Sequence, residues 1–263
     1  MEGIRSEGKT VLVVDSGHLF NDTPASSHSE WASDRARLIT RAYKRMGVAA
    51  VNVGDSDLKL GLSFLRQEAS KGFPLISANL MERSRGTPIF PPYIIKKAEG
   101  VRVAFFGLLS PDMSQSVRKT MEKMVVIKDP VETAKSVMKT LRKQADIIIL
   151  LSDLGLDKER EILRQVTGIH VVLGGREGQY IRSPLWEGET PILQSYKKGM
   201  YAGKLQFTIS DASFHFEKEG QKSANRIQWT LIPLDNSLPE DKTISGWIRK
   251  AGFAGNIEKP PLY

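Results

Sequence analysis

The chain has 263 residues, of which 40% are hydrophobic and 26% are charged. These values are typical of a globular protein and exclude an intrinsically disordered or fibrous chain. The absence of cysteine excludes a disulfide framework, a thiolate metal site and cysteine catalysis. The net charge of +8 favours anionic partners, but the basic residues are scattered along the chain. A nucleic-acid interface is therefore not expected.

Short apolar runs alternate with helical patterns over the first two thirds of the chain. Helices are predicted where apolar residues recur every three or four positions, and buried strands where apolar residues run continuously. In chain order the predicted elements are a strand over Val11–Val14, a helix over Ser29–Met46 ended by Gly47, a strand over Val48–Val53, a helix over Leu58–Ala69, a strand over Pro74–Ala78, a hairpin of Tyr93–Lys97 with Val101–Leu108, a helix over Val131–Lys143, a strand over Ile147–Leu151, a helix over Leu156–Val166 and a strand over Ile169–Leu173.

The last third of the chain has a different pattern. Apolar and polar residues alternate over Pro191–Ser195, Gly203–Ile209 and Arg226–Pro233, which predicts antiparallel strands, and a helix over Pro239–Ala251 follows. Strand–helix alternation followed by an antiparallel tail predicts a layered α/β fold with a mixed sheet. No Pro-, Gly- or Ser-rich linker divides the sequence, so residues 1–263 are expected to form a single domain.

Polar loops follow four of the predicted strands. Because ligands collect at the carboxyl ends of strands in α/β sheets, we expect these loops to converge on one site. Histidine and carboxylate oxygens suit a divalent cation, although Asp, Ser and Gly in a single loop are more often turn or cap residues. Only the joint pattern points to a site. The four loops are Asp15–His18, Gly54–Asp57, Ser152–Gly155 and Gly174–Gly178.

The ordered set of motifs resembles the amino-terminal catalytic domain of the 5′-nucleotidase family, within the calcineurin-like metallophosphoesterases. The resemblance covers most of the chain from Lys9 to Ala251 and implies a layered α/β/β/α sandwich that holds two metal ions and hydrolyses phosphate esters. The family's C-terminal substrate domain has no counterpart within residues 1–263. The segments that carry the resemblance are Val11–Phe20 (D-x-G-D-x-F), Ala49–Asp57 (G-N-H-[ED]), Phe73–Asn79 (F-P-x-x-x-A-N), Gly100–Pro111, Ala145–Gly155 (L-S-H-L-G) and Ile169–Gly178 (G-G-H-x-H).

The resemblance places most of the family's metal ligands on substituted positions, and its opening D-x-H motif is not found before Lys9. Two outcomes stay open. Either a single divalent ion (Mn, Zn or Mg) binds among His18, Asp55 and Asp153, or Arg176 supplies the positive charge and pairs with one of the two carboxylates. The substituted positions are His18 for the bridging aspartate, Asp55 and Ser56 in G-N-H, Asp153 in L-S-H, and Arg176 and Gly178 in G-H-x-H.

The resulting prediction is a 5′-nucleotidase-like phosphoesterase domain with a degenerate metal site, weakly active or inactive on nucleotides or other phosphomonoesters. No catalytic residue is assigned, and Asp57 and Asn79 are candidate cleft contacts with cap and turn roles as the alternative. A non-catalytic domain that binds an anion or a partner through the same cleft is the competing hypothesis. The expected ligand is a small phosphorylated molecule or another anion, and nothing indicates an oligomeric state.

The expected location follows only from the resemblance, which implies an extracytoplasmic (periplasmic) protein. Met1 is not followed by the charged and apolar segments of a signal peptide. The longest apolar runs, such as Ile147–Leu151, are too short to span a bilayer. The sequence therefore predicts no membrane-spanning segment.

Overall fold

A computed structural model describes residues 8–20, 30–211, 214–218 and 222–253. This part of the chain contains thirteen strands, six α-helices and one 3₁₀ helix over Asp55–Leu60. The helices are α1 (Glu30–Met46), α2 (Leu62–Ser70), α3 (Gln115–Met121), α4 (Pro130–Gln144), α5 (Leu156–Gln165) and α6 (Lys242–Lys250). The strands are β1 (Val13–Asp15), β2 (Val48–Asn52), β3 (Leu75–Ile76), β4 (Leu80–Glu82), β5 (Tyr93–Ala98), β6 (Val101–Leu109), β7 (Val125–Ile127), β8 (Ile147–Asp153), β9 (Val171–Gly174), β10 (Leu185–Glu187), β11 (Thr190–Leu193), β12 (Tyr201–Thr208) and β13 (Arg226–Pro233).

The strands form one large mixed sheet and three smaller ones. The six-stranded sheet has the order β10-β11-β9-β8-β6-β5, with β6, β8, β9 and β11 parallel to one another and β5 and β10 antiparallel at its edges. A parallel three-stranded sheet has the order β1-β2-β3. The antiparallel pairs β12-β13 and β4-β7 complete the set. The predicted mixed α/β architecture is therefore confirmed.

The six-stranded sheet is covered on both faces, because successive side chains of a strand point to opposite sides. In β8, Ile148 and Leu150 face a core shared with α4 and α5, whereas Ile147 and Ile149 face a second core shared with β2, β3 and the β12-β13 pair. A third core lies between the three-stranded sheet and helices α1 and α2. The order helix, sheet, sheet, helix is the predicted α/β/β/α sandwich.

The helices are amphipathic elements that cover the sheets. In α4 the buried residues Ala134, Met138 and Leu141 recur every three or four positions on the face toward the sheet. Pro130 occupies the first turn of α4, and the Asp129 carboxylate accepts a hydrogen bond from the Glu132 backbone N–H at 2.8 Å, so the helix begins where the sequence predicts. Across the described ranges, no helix combines the length and apolar character that crossing a bilayer requires.

Three details differ from the sequence prediction. The single helix predicted over Leu58–Ala69 is a 3₁₀ helix followed by α2, because the intervening Gly61 adopts a left-handed φ of 81° that interrupts the helix. Strand β11 was expected in an antiparallel pair; it pairs antiparallel with β10 but parallel with β9, which joins it to the large sheet. The last helix begins at Lys242 because the Asp241 carboxylate accepts the N–H groups of Thr243 and Ile244.

Candidate functional site

The four loops predicted to converge lie together at the carboxyl ends of β1, β2, β8 and β9. The register that pairs Leu109 with Asp153 and Ser152 with Gly174 brings the ends of β6, β8 and β9 to one edge of the large sheet. The Ser16 hydroxyl of the β1 loop donates to the Leu173 carbonyl of β9 at 2.8 Å, which joins the two stacked sheets at this point. We call this region the edge site; it comprises His18, Asp55, Ser56, Asp57, Asp153 and Arg176.

Asp153 is the centre of the edge site and is fully buried at the end of β8. Its Oδ1 contacts His18 Nε2, and its Oδ2 lies 3.6 Å from Arg176 Nη1 and accepts the Asp55 backbone N–H at 3.2 Å. A buried carboxylate requires such cationic and hydrogen-bonding partners, because it has lost its hydration. The structure thus brings three predicted residues, His18, Asp153 and Arg176, into direct contact.

His18 is held between Asp153 and the Ser56 hydroxyl, which lies 3.1 Å from His18 Nδ1. Burial lowers the pKa of the His18 imidazole, but its contacts with Asp153 and the nearby Asp57 charge outweigh burial, so the pKa is raised above its ordinary value. The imidazole therefore gains a proton more readily than in water. In its protonated form, the imidazole joins the guanidinium of Arg176 as a second cationic group beside the Asp153 carboxylate.

Arg176 connects the β9 loop to the loop that follows β6. Its Nη2 donates to the Asp112 carbonyl at 2.6 Å, and its Nη1 donates to the Asp153 carbonyl at 3.5 Å. These contacts use the two terminal nitrogens of the guanidinium, and the side chain remains 26% exposed. A partly exposed guanidinium with an N–H donor left over suits recognition of an anionic oxygen.

Asp55 turns its carboxylate away from Asp153. Both of its oxygens accept the Ser114 backbone N–H, at 3.2 and 3.3 Å, so only its own backbone N–H contacts Asp153. Of the predicted metal-ligand set, His18 and Asp153 contact each other through their side chains, and the Asp55 carboxylate contacts the loop after β6 instead.

Within the edge site, Asp57 fixes the loops after β1 and β2. Its carboxylate accepts backbone N–H groups from His18 at 3.1 Å, Phe20 at 3.0 Å and Gly54 at 2.8 Å. Burial raises the pKa of Asp57 to about 7, against the lowering effect of these backbone donors. These contacts hold His18 at a left-handed φ of 60°, which is uncommon for a residue with a side chain.

Asn79 lies outside this group of contacts. It is fully buried, its Oδ1 accepts the Leu109 N–H at 2.9 Å, and its Nδ2 donates to the carbonyls of Leu109 at 2.7 Å and Lys128 at 3.2 Å. These bonds tie the end of β6 to the segment after β7, and they satisfy both polar ends of the amide.

The comparisons with known proteins agree with this architecture. No protein-family model matches the chain. Protein UshA of Yersinia enterocolitica is 28% identical over an alignment that covers 98% of this chain and 50% of UshA. A 5′-nucleotidase of Vibrio cholerae is 22% identical, with 88% of this chain and 45% of the relative covered. The crystal structure of the calcineurin-like phosphoesterase YfkN from Bacillus subtilis superposes with a TM-score of 0.74 at 20% identity, covering 96% of this chain and 86% of YfkN.

The chain is similar to 5′-nucleotidases and to calcineurin-like phosphoesterases, as the sequence motifs predict. It matches the N-terminal domain of this family and spans about half the length of these curated relatives. The structural likeness, at 20% identity, supports the fold, and the sequence relatives support the family.

The two-metal centre that the 5′-nucleotidase resemblance implies does not fit the donor geometry of the edge site. His18 and Asp153 supply two facing donors, but the Asp55 carboxylate contacts Ser114 and the Arg176 guanidinium lies against Asp153. Among the residues that the structure describes, no group of three or more His, Asp or Glu side chains is arranged to hold a metal ion. A pair of ions would need several carboxylate or imidazole donors at one point.

Two contacts in the 5′-nucleotidase-like site were not predicted from the sequence. The Asp15 carboxylate accepts the Tyr43 hydroxyl at 2.7 Å and the Gly17 N–H at 2.9 Å, and burial raises its pKa. The Asp112 carbonyl accepts Arg176. Asp15 belongs to the predicted loop Asp15–His18, although the sequence assigned it no contact. Tyr43 and Asp112 carry no local signal, since they reach the site only through tertiary packing.

Proposed function

We propose that this chain is a 5′-nucleotidase-like phosphoesterase domain whose edge site binds the phosphate of a nucleotide or another phosphomonoester. We further propose that the metal site is degenerate, so that hydrolysis is weak or absent. The observation that carries the proposal is the contact of one buried carboxylate, Asp153, with the Arg176 guanidinium and the His18 imidazole. The likeness to 5′-nucleotidases supports the reaction class, and the Arg176 guanidinium is the reason to expect an anion.

Arg176 is the proposed phosphate-binding residue. Within the described residues its hydrogen bonds come from Nη1 and Nη2, and the guanidinium is partly exposed at the edge where four loops meet. His18 is proposed to carry a proton near the bound phosphate, because the contact with Asp153 raises its pKa. In hydrolysis, water adds to phosphorus while the ester P–O bond breaks, and the alcohol leaves with a proton.

A single divalent ion (Mn, Zn or Mg) on His18, Asp55 and Asp153 stays a prediction from the sequence, and it would require the Asp55 carboxylate to leave the Ser114 N–H. A single ion would supply Lewis-acid polarisation of the phosphate. Arg176 opposes this loading, because its fixed positive charge lies 3.6 Å from Asp153 Oδ2.

The single-domain organisation and an extracytoplasmic location remain predictions from the sequence and the family resemblance.

The first test measures phosphate binding by calorimetry with wild-type protein, Arg176→Gln and a matched control, Arg102→Gln. Arg102 also pairs with an aspartate, Asp146, but at the opposite end of β6 and β8. We expect Arg176→Gln to weaken inorganic phosphate binding about tenfold or more, since a charge-assisted hydrogen bond is lost, and Arg102→Gln to leave it unchanged. Failure of the wild-type protein to bind phosphate would contradict the proposal.

The second test measures hydrolysis of AMP and p-nitrophenyl phosphate during titration with Mn²⁺, Zn²⁺ and Mg²⁺. We expect slow turnover at most, abolished by His18→Ala and by Asp153→Asn. Fast turnover together with two bound metal ions per chain, measured by elemental analysis, would overturn the degenerate-site part of the proposal and leave the phosphoesterase part standing.

A further inference from the structure

Two polar side chains are buried between helix α5 and the ends of strands β9 and β11. They are Glu159 of α5 and Gln194, which directly follows β11. Among the described residues, both carboxylate oxygens of Glu159 and the Nε2 atom of Gln194 are buried without a hydrogen-bond partner of ordinary geometry. Buried polar atoms normally have such partners, so these exceptions point to a role beyond packing. We call Glu159 and Gln194 the buried pair.

The buried pair meets at Gly174, the last residue of β9. A Cβ atom on Gly174 would lie 2.7 Å from Glu159 Oε1 and 2.9 Å from Gln194 Nε2, so this acceptor and this donor approach the same point. Only glycine leaves room for them, because real Cβ atoms do not make contacts this short. At the next residue, a Cβ atom on Gly175 would lie 2.9 Å from the Cβ of Ser16 in the β1 loop. The backbone at the start of the β9 loop is therefore closely packed at both glycines.

Hydrogen bonds connect the buried pair to the loop that carries Arg176. Gln194 Oε1 accepts the Gln179 N–H at 2.9 Å, three residues after Arg176. The Gly175 N–H, one residue before Arg176, donates to the Ser152 carbonyl of β8 at 2.8 Å. The loop is thus fixed on both sides of Arg176, and the buried pair supplies the contact on one side.

The charged groups around Glu159 are mainly acidic. Burial has the largest effect on the Glu159 pKa and raises it, and the charges of Glu177 in the β9 loop and Asp153 in β8 raise it further. The nearby Ser152 hydroxyl lowers it, and the resulting pKa is about 7. Arg160, the next residue of α5, pairs with an acidic residue of β10 at 3.7 Å. Ionisation of Glu159 therefore adds a negative charge to a region that already holds two carboxyl groups.

We propose that the buried pair positions Arg176 for anion binding while Glu159 is uncharged, and that ionisation of Glu159 weakens anion binding at the edge site. An uncharged carboxyl group can accept from Gln194 Nε2 and donate to the Ser152 hydroxyl at the same time. The ionised group can no longer donate, and its charge opposes an anion at the edge site. This inference concerns regulation of the edge site and rests on the proposed function, because Arg176 must hold the anion.

The test measures sulfate binding to the full chain by calorimetry at pH 6 and pH 8, for wild type and Glu159→Gln. Sulfate is the probe because, unlike phosphate, it carries the same charge at both pH values. We expect equal affinities at pH 6 and about threefold or more weaker binding by wild type at pH 8, since only wild type gains the buried charge. Proton loss from His18 occurs in both proteins and cancels in the comparison. Equal affinities at pH 8 would overturn the proposed regulation.

Two further variants complete this comparison. Glu161→Gln is the matched control, because it changes an exposed residue of the same helix and should bind sulfate as wild type does at both pH values. Glu159→Leu removes the hydrogen-bonding groups together with the charge, so we expect it to bind sulfate more weakly than Glu159→Gln at pH 6. Equal binding by Glu159→Leu and Glu159→Gln would show that the hydrogen bonds of the buried pair do not position Arg176.

A second measurement uses the wild-type chain and does not depend on the folding of a variant. The ¹³C signal of the Glu159 carboxyl group reports its ionisation, and the amide signal of Gln179 reports the loop. We expect the two signals to titrate together without ligand, and the same Gln179 titration to be absent from Glu159→Gln. Sulfate should move the Glu159 titration to higher pH, because coupling between two binding events is reciprocal.

The outcomes separate this inference from the proposed function. Absence of sulfate binding at both pH values contradicts the proposed function, and joint titration of Glu159 and Gln179 would then still support the positioning of the loop. A Gln179 amide that does not follow the Glu159 titration overturns the inference, whether or not the edge site binds sulfate.

Discussion

Asp153 divides the edge site into two halves that are built in different ways. On one side, His18 is fixed by backbone hydrogen bonds to Asp57 and by close packing of the β1 and β2 loops. On the other side, Arg176 reaches Asp153 as a long, partly exposed side chain. The first half depends on the fold for its geometry, whereas the second contributes charge at the surface. Substitutions on the His18 side should therefore mainly lower stability, whereas substitutions on the Arg176 side should mainly weaken anion binding.

The largest effect is expected for Gly54→Ala, on the His18 side. A Cβ at Gly54 would lie closer to the His18 backbone nitrogen than real Cβ contacts allow, and that nitrogen cannot move without losing its bond to Asp57. We expect a loss of about 3 kcal/mol in the free energy of unfolding, measured with urea. The matched control is Gly246→Ala in α6, where a Cβ meets nothing within 4 Å and the change should be neutral or stabilising.

The second effect is that of Asp57→Ala, measured by urea unfolding at pH 5. The substitution leaves the N–H groups of His18, Phe20 and Gly54 without their acceptor, so we expect a loss of about 2 kcal/mol. Asp55→Ala is the comparison within the same 3₁₀ helix. Among the described residues its carboxylate accepts one backbone N–H, that of Ser114, so the cost should be smaller. An equal cost for the two variants would show that Asp57 does not position the His18 loop.

How much of the structure the sequence could predict depends on whether a feature is set by a local pattern or by tertiary packing. The strand at Ile147 and the hairpin of β5 and β6 were predicted because their apolar patterns are set by burial on a sheet. The proximity of Asp153 and Arg176 followed from the rule that parallel strands of one sheet end at one edge, whereas His18 reaches them from the second sheet.

Contacts set by tertiary packing could not be predicted. The Asp55 carboxylate was expected among the metal ligands, but it contacts Ser114 in a loop that carried no signal of a site. Strands β4, β7 and β10 have three residues each, which is too short for a periodic pattern to show. The rings of Tyr180, Tyr196 and Tyr201 come from two loops and the start of β12, so only the tertiary arrangement brings them together.

The third effect depends on pH. It concerns Glu159, which is a fully buried residue of α5. Burial raises the pKa of Glu159 to about 7, although the Ser152 hydroxyl opposes this. Between about pH 4.5 and 7 the folded protein therefore binds more protons than the unfolded chain, so wild-type stability falls as pH rises through this range.

Glu159→Gln removes this titration. We expect the variant to gain about 1–2 kcal/mol relative to wild type between pH 5 and pH 8, measured by urea unfolding at both values. Glu161→Gln changes an exposed residue of the same helix and should leave the pH dependence unchanged. A parallel pH dependence of wild type and Glu159→Gln would show that Glu159 is ionised in the folded protein throughout this range.

The smallest effect on stability is expected for Arg176→Gln. Asp153 keeps the His18 imidazole and the Asp55 N–H after this change, and the raised pKa of His18 allows the imidazole to carry the compensating charge. We expect a loss below about 1 kcal/mol in the free energy of unfolding at pH 6, and a larger loss for His18→Ala. The reverse order would mean that Arg176 is the structural partner of Asp153, and that the surface half of the edge site, rather than the packed half, holds the buried carboxylate in place.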